Sequence, residues 1–369
     1  MNGSELNQDS KPLPARLPSS AIFVRLAAIG LLLAVIAGLF LYAGGWLTPH
    51  ALTPAAMINT FERVNGMHPG FRRNHAKGVC VTGYFESNGA GQALSKAQVF
   101  RAGRVPILGR FALAGGQPYA ADTPQTVRSL AILFKLADGE EWRTAMINLP
   151  VFVVNNPQDF HDFLVVTSPN PQTGKVDSAA VGAFLGKHPE TAAALKEIGS
   201  HPFSSGFADS PYYALNAFRF VNASGERTSV RWWVKPEQTA ATGDSAATTD
   251  KNYLFDGLIA QIHSGPLRWH VIVIVGQPGD PTAQAASSWP ADRQQTDVGT
   301  ITIDTIESED TSATRDINFD PLVLPDGISP SDDPLLSARS AAYSQSFTRR
   351  EGEHKDPSAV STAEVEKKP

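Results

Sequence analysis

The chain has 369 residues, 42% of them hydrophobic and 18% charged, enough to bury a sizeable core as one large domain or two. A net charge of −5 gives no nucleic-acid-binding signature. The single cysteine, Cys80, excludes a disulfide framework and excludes covalent cofactor attachment through a Cys-x-x-Cys-His motif.

Residues 1–20 are polar, contain Pro12, Pro14 and Pro18, and read as a disordered lead. From Leu26 to Pro49 no residue is charged, and most are Leu, Ala, Ile, Val or Gly. That length can cross a bilayer as a helix. The expected segments are a cytoplasmic lead at 1–25 and a transmembrane anchor at 26–48. Lys11, Arg16 and Arg25 flank the start of the apolar run and place the N-terminus in the cytoplasm. A cleaved signal peptide is the alternative, but its apolar core is usually shorter, and no convincing Ala-x-Ala site follows here. Either reading exports the remainder to the periplasmic or extracellular side.

Beyond the anchor the pattern is mainly strand. Val79 to Phe85, Val105 to Leu113 and Ser129 to Leu136 are short apolar runs, the last two bounded by Gly, Pro or Asp. Ala145 to Val154 is another, broken by Pro150. Phe218-Arg219-Phe220 and Val230-Arg231-Trp232 alternate about the turn Asn222 to Gly225, a hairpin signal. Trp269 to Gly276 and Gly299 to Ile306 add two more. Such spacing predicts a sandwich or a barrel.

Helices are fewer. Ser178 to Gly199 is Ala-rich, with Pro189 marking a break or a new start, and Asp250 to His263 is a second candidate. A third starts at Ser331-Asp332-Asp333 with Pro334 behind it, a cap followed by proline in the first turn. It carries Arg339 four residues before Tyr343, on one face, among small residues. Residues 238–251 and 277–298 read as loops, and the charged tail, 351–369, as disordered.

One stretch near the start, Arg72-Arg73-Asn74-His75-Ala76-Lys77-Gly78, and one near the end, Arg339-Ser340-Ala341-Ala342-Tyr343, resemble the two sides of the haem site in the catalase family. The resemblance continues in order through Gly83-Tyr84-Phe85-Glu86, Gly109-Arg110-Phe111, Leu149-Pro150-Val151-Phe152 and Asn156-Pro157 with Phe160. It closes on Val221 to Glu226, Phe319-Asp320-Pro321 and Arg350. It covers about Pro54 to Arg350 and is nearest to the small, membrane-tethered catalase-related peroxidases. The fold it implies is α+β: a closed antiparallel β-barrel of the catalase type with surrounding helices and long loops, spanning 54–350 and preceded by one transmembrane helix.

The resemblance also implies the site. His75 is the acid/base above a haem b iron, and Tyr343 is the axial ligand below it, with Arg339 favouring the phenolate. Arg72, Arg110 and Arg350 bind the propionates, and Phe160 lies over the haem face. Two family positions differ. Ala112 stands where the family has a serine that steadies the histidine, and Ile147 where it has an asparagine. Asn74, beside His75, replaces an apolar family residue and is a candidate to supply a polar group instead.

These changes point to a haem peroxidase that reduces hydrogen peroxide or organic hydroperoxides with an external electron donor, which the sequence does not name. The alternatives are a true catalase, a hydroperoxide isomerase or lyase on the same scaffold, and a haem-binding module without turnover. Besides the peroxide and the donor, the membrane is the one partner implied, and oligomeric state is left open.

Overall fold

A computed structural model describes residues 18–43, 47, 52–239 and 250–367, which fall into two compact units, Met1–Thr53 and Pro54–Pro369. In the first unit a helix, α1, runs over Ser19–Ala43. Its 24-residue stretch Ser19–Tyr42 has a mean hydropathy of 2.5, long and apolar enough to cross a membrane. At 1.5 Å per residue α1 measures about 37 Å, against a hydrocarbon layer of about 30 Å. The helix starts seven residues ahead of the expected 26–48, so Arg25 lies inside its second turn. A long side chain there can reach back to an interface. The expected lead falls outside the described residues up to position 17.

Among its described residues the second unit holds ten strands: β1 (Gly78–Ser87), β2 (Gly103–Leu113), β3 (Arg128–Lys135), β4 (Glu141–Ile147), β5 (Tyr212–Tyr213), β6 (Phe218–Val221), β7 (Arg227–Pro236), β8 (Leu267–Val275), β9 (Gln295–Glu307) and β10 (Ile328–Pro330). Around them lie α2 (Pro54–Asn65), α3 (Pro157–Thr167), α4 (Ser178–Lys187), α5 (Pro189–Ser200), α6 (Tyr253–Ser264), α7 (Pro334–Glu351) and α8 (Thr362–Glu366). The strands pair antiparallel in the order β7, β5, β4, β3, β2, β1, β9, β8, and β8 pairs back to β7. This closes an eight-stranded barrel and removes its edges. β6 and β10 extend one side of it. At Gly83, where the β1–β9 register shifts, a Cβ would sit 2.0 Å from the carbonyl oxygen of Thr302, so only glycine lets the two strands meet there.

Alternate residues fill the interior. Leu130, Ile132 and Phe134 of β3 and Trp142 and Met146 of β4 are buried in one core with Trp232, Trp269 and Phe111. The ring of Phe134 stacks on Trp142 at 4.7 Å between centres. The barrel is therefore a packed support, and the opposite face of β3 and β4 is left for other elements.

Several expectations are corrected. The strand read at 145–154 is displaced to Glu141–Ile147. The run beyond it, with Val151 and Val154 fully buried, is apolar because it packs as irregular chain around Pro150. The helices α2 and α3 were not expected. The second is set up by Asn156, whose side chain caps the Asp159 N–H at 2.9 Å, with Pro157 in the first turn.

The tail 351–367 is ordered rather than disordered. Glu353 bonds Arg73 and takes the Gly70 N–H at 2.8 Å, and Ser308 donates to the Val360 carbonyl at 2.8 Å. Val360 and Val365 join the core, and Ser361 and Glu364 cap α8 reciprocally. Glu353 and Lys355 are paired with Arg73 and Asp316 of the body of the fold, which is why a charged composition did not mean disorder here. In the expected loop at 238–251, residues 240–249 lie outside the described residues. The one read at 277–298 ends earlier, because β9 begins at Gln295.

Candidate active site

A cavity of about 470 Å³ lies between the outer face of β3 and β4 and the helices α2, α3 and α7. The sheet side carries small groups at Ser129, Ala131 and Ala145: Ala131 stands opposite Ala145, and Ser129 opposite the larger Ile147. Ala338, Arg339, Ala342, Tyr343, Ser346 and Arg350 line it from α7, at helical spacing along one face. Small residues on both sides suit a flat group. Arg72, His75, Arg110, Phe160, Arg339, Tyr343 and Arg350 all line this one cavity.

His75 sits in the loop before β1 with φ of 56°, a left-handed backbone uncommon outside glycine. Asn74 stabilises that turn: its side-chain Oδ1 accepts from the His75 N–H at 3.0 Å and the Gly115 N–H at 2.9 Å. Nδ1 of His75 is buried without a hydrogen-bond partner. Ala112, at the position of the family's serine, carries no hydroxyl that could reach it. Asn74 therefore serves the main chain, and the expected polar support of the ring is not met. Burial first, then the charges of Arg110, Arg339 and Arg72, push the imidazole down to about 3, with the Leu113 backbone opposing. The ring is neutral near pH 7.

Arg339 donates to Asn216 and, at 3.2 Å, to the Ala145 carbonyl. Asn216 donates in turn to Asp333 at 2.8 Å, and Asp333 caps Leu335 at the start of α7. The Arg339 guanidinium carbon lies 5.9 Å from the centre of the Tyr343 ring. The helix cap and the arginine beside the tyrosine are thus one network. Phe160 packs at 5.2 Å from Phe152 and 6.1 Å from Phe61, in an aromatic wall.

The charged corner differs from expectation. Arg110 is not free for an incoming carboxylate: it donates to Glu309 and to the His75 and Ala76 carbonyls. Arg72 donates to Glu309 and to the Arg315 and Ile317 carbonyls, and Arg350 to the Arg315 carbonyl. Asp316, 3.8 Å from Arg350, is paired at 2.6 Å with Lys355. Three cavity-lining guanidinium groups against the buried Glu309 carboxylate leave a surplus of two positive charges. Burial and the neighbouring Arg110 and Arg350 push the Arg72 guanidinium well below its usual range, a sign of positive charge in excess. A flat cofactor with two carboxylates, as haem is, fits both the walls and the charge. The sequence reading missed Glu309, Asn216 and Leu215; the last lines the cavity at φ of 65°.

A sequence model of the family described as Catalase matches residues 45–366. A catalase-related peroxidase of Synechococcus elongatus is 35% identical over 301 residues, covering 81% of this chain and 89% of that protein. A catalase-related peroxidase of Mycolicibacterium paratuberculosis is 33% identical over 308 residues, covering 82% of this chain and 96% of that protein. A solved fungal catalase superposes with a TM-score of 0.69 at 20% identity, over 86% of this chain and 67% of that one. A solved bacterial catalase gives 0.67 at 21% identity, over 81% and 61%.

Proposed function

The chain belongs to the catalase family, and on that premise we propose that it is a peroxidase reducing hydrogen peroxide or organic hydroperoxides at a haem b, with an external electron donor. The observation that carries the reading is the convergence on one cavity of His75, Tyr343, Arg339, Phe160 and the arginines 72, 110 and 350.

Haem, when bound, supplies the redox-active iron that no side chain here provides. Tyr343 would hold it through its phenolic oxygen, with the Arg339 guanidinium beside its ring. Arg72 and Arg350 would bind its carboxylates with the N–H donors they have left. Phe160 and its aromatic neighbours form an apolar wall. His75 does the proton work. Its neutral imidazole takes the proton from one peroxide oxygen and returns it to the other, which leaves as water or an alcohol. Help of this kind is worth about 10²–10⁴-fold.

In this reading the cavity lining favours peroxidase over catalase turnover. Ile147 has neither donor nor acceptor, and a catalase must orient a second peroxide. The helix α1 serves in this reading as the membrane anchor, with the second unit on the periplasmic or extracellular side.

The test is an absorption spectrum of the purified protein, followed by peroxide addition with and without a donor dye. The expected result is one non-covalently held haem per chain and donor oxidation far exceeding oxygen evolution. A protein that takes up no haem would overturn the reading. Oxygen evolution dominating would make it a catalase, and rearranged products from a fatty-acid hydroperoxide would make it an isomerase or lyase.

A further inference from the structure

Glu309 lies two residues past the end of β9, in a turn where the Thr311 and Ser312 N–H groups bond the Ser308 carbonyl at 3.3 and 3.1 Å. It is not among the residues lining the cavity, yet it is 4% exposed. Its carboxylate accepts from Arg72 Nη1 at 2.9 Å, from Arg110 Nε at 2.9 Å and from Arg110 Nη2 at 3.0 Å. Burial works against its charge, but Arg110 and Arg72 outweigh that and hold it ionised.

Arg110 turns the other way with its remaining contacts. Nη1 donates to the His75 carbonyl at 2.8 Å, and Nη2 to the Ala76 carbonyl at 3.1 Å. The guanidinium fits there because residue 78 is glycine: a Cβ on Gly78 would lie 2.5 Å from its central carbon. His75 is thus gripped on both sides of its left-handed backbone, by Asn74 on the N–H and Arg110 on the carbonyl.

We propose that Glu309 is a positioning residue for His75: its carboxylate fixes the Arg110 guanidinium, which in turn fixes the histidine's backbone. The inference rests on His75 being the acid/base of a haem site. The charge is essential as well as the shape. A carboxylate accepts at both oxygens, whereas glutamine offers one oxygen and turns an NH₂ toward donors.

The experiment is a double-mutant cycle on the full chain loaded with haem, read by the association rate of cyanide. Cyanide enters as an acid and must give up its proton to a base near the iron. Wild type, Glu309→Gln, His75→Ala and the double variant are compared, with haem per chain measured for each. We expect Glu309→Gln to keep its haem and slow association by about tenfold or more, since small misplacements of a reacting group are costly. In the His75→Ala background the same change should have less than about a twofold effect. Glu309→Asp, which retains the charge, should recover most of the rate. Equal effects in both backgrounds, no effect in either, or equal loss for Asp and Gln would overturn the proposal. So would a Glu309→Gln chain that fails to fold or to load haem. A wild type that takes up no haem would instead overturn the functional reading.

Discussion

The side-chain Oδ1 of Asn74 accepts the backbone N–H of His75 at 3.0 Å and leaves the ring's Nδ1 buried without a partner. The imidazole is therefore held by its main chain, in a field of arginines that disfavours its protonation.

That arrangement predicts an acid sensitivity. In the unfolded chain the ring takes up a proton below about pH 6.5. In the folded apoprotein it stays neutral down to about pH 3, because burial and the arginines oppose the charge. The unfolded state then binds more protons in that window, and stability falls as pH falls through it. His75→Asn suits a left-handed backbone and does not titrate. Between about pH 7 and 5.5 it should lose roughly 1 kcal/mol less than wild type in urea unfolding. Equal losses would mean that the ring titrates normally in the fold.

Tyr343→Phe removes one oxygen from the α7 side of the cavity. Arg339 keeps its bonds to Asn216 and Ala145, so the helix should hold its place. The expected outcome is loss of most of the haem on purification, with the apoprotein's thermal midpoint nearly unchanged. Full haem content with an unchanged spectrum would exclude Tyr343 as the iron ligand.

Ile147 stands opposite Ser129 on the outer face of β3 and β4. Ile147→Asn adds a donor and an acceptor that can hold a second peroxide. A hydrogen bond of about 0.5–1.5 kcal/mol corresponds to a few-fold to roughly tenfold in rate. The ratio of oxygen evolved to donor oxidised should rise by that factor on a haem-normalised preparation. Asn148 cannot supply this group in the wild type, because its side chain accepts from the Arg128 N–H at 2.8 Å. An unchanged ratio would move attention to Ala112.

Deleting residues 353–369 should destabilise the fold. It removes the Glu353 bonds to Arg73 and Gly70 and the buried side chains of Val360 and Val365. Burying two valines is worth about 3–6 kcal/mol. Chemical denaturation should show a loss of that order, and a loss under about 1 kcal/mol would mean that the tail is dispensable.

Much of the fold was readable because its strands are short apolar runs between Gly, Pro and Asp. Closure was not, since period-2 alternation is the same in a sandwich and a barrel. The resemblance supplied it. The displaced β4 shows the limit of reading apolar runs. Trp142, Thr144 and Met146 carry the alternation, while Val151 and Val154 are apolar for burial outside any strand. In the site, the residues picked from sequence stand in recognisable stretches. Glu309 stands in none, as its partners Arg72 and Arg110 lie far back in the chain. Asn216 likewise acquires its role from Arg339 and Asp333, which no local pattern announces.

The barrel closes through a very narrow seam. β5 contributes two residues, joined to β4 by the single pair Ile147–Tyr213 and to β7 by Tyr212–Val234 and Tyr213–Trp233. A ladder so short gives up its hydrogen bonds at little cost beside the ten-residue pairing of β1 with β2. Ile147 lines the cavity, and so do Leu215 and Asn216 just past Tyr213. Local opening at this seam would breathe into the cavity while the rest of the barrel stays shut. Amide hydrogen exchange should therefore begin at Tyr213 and Ala214, well before global unfolding, and should slow there when the cavity is filled.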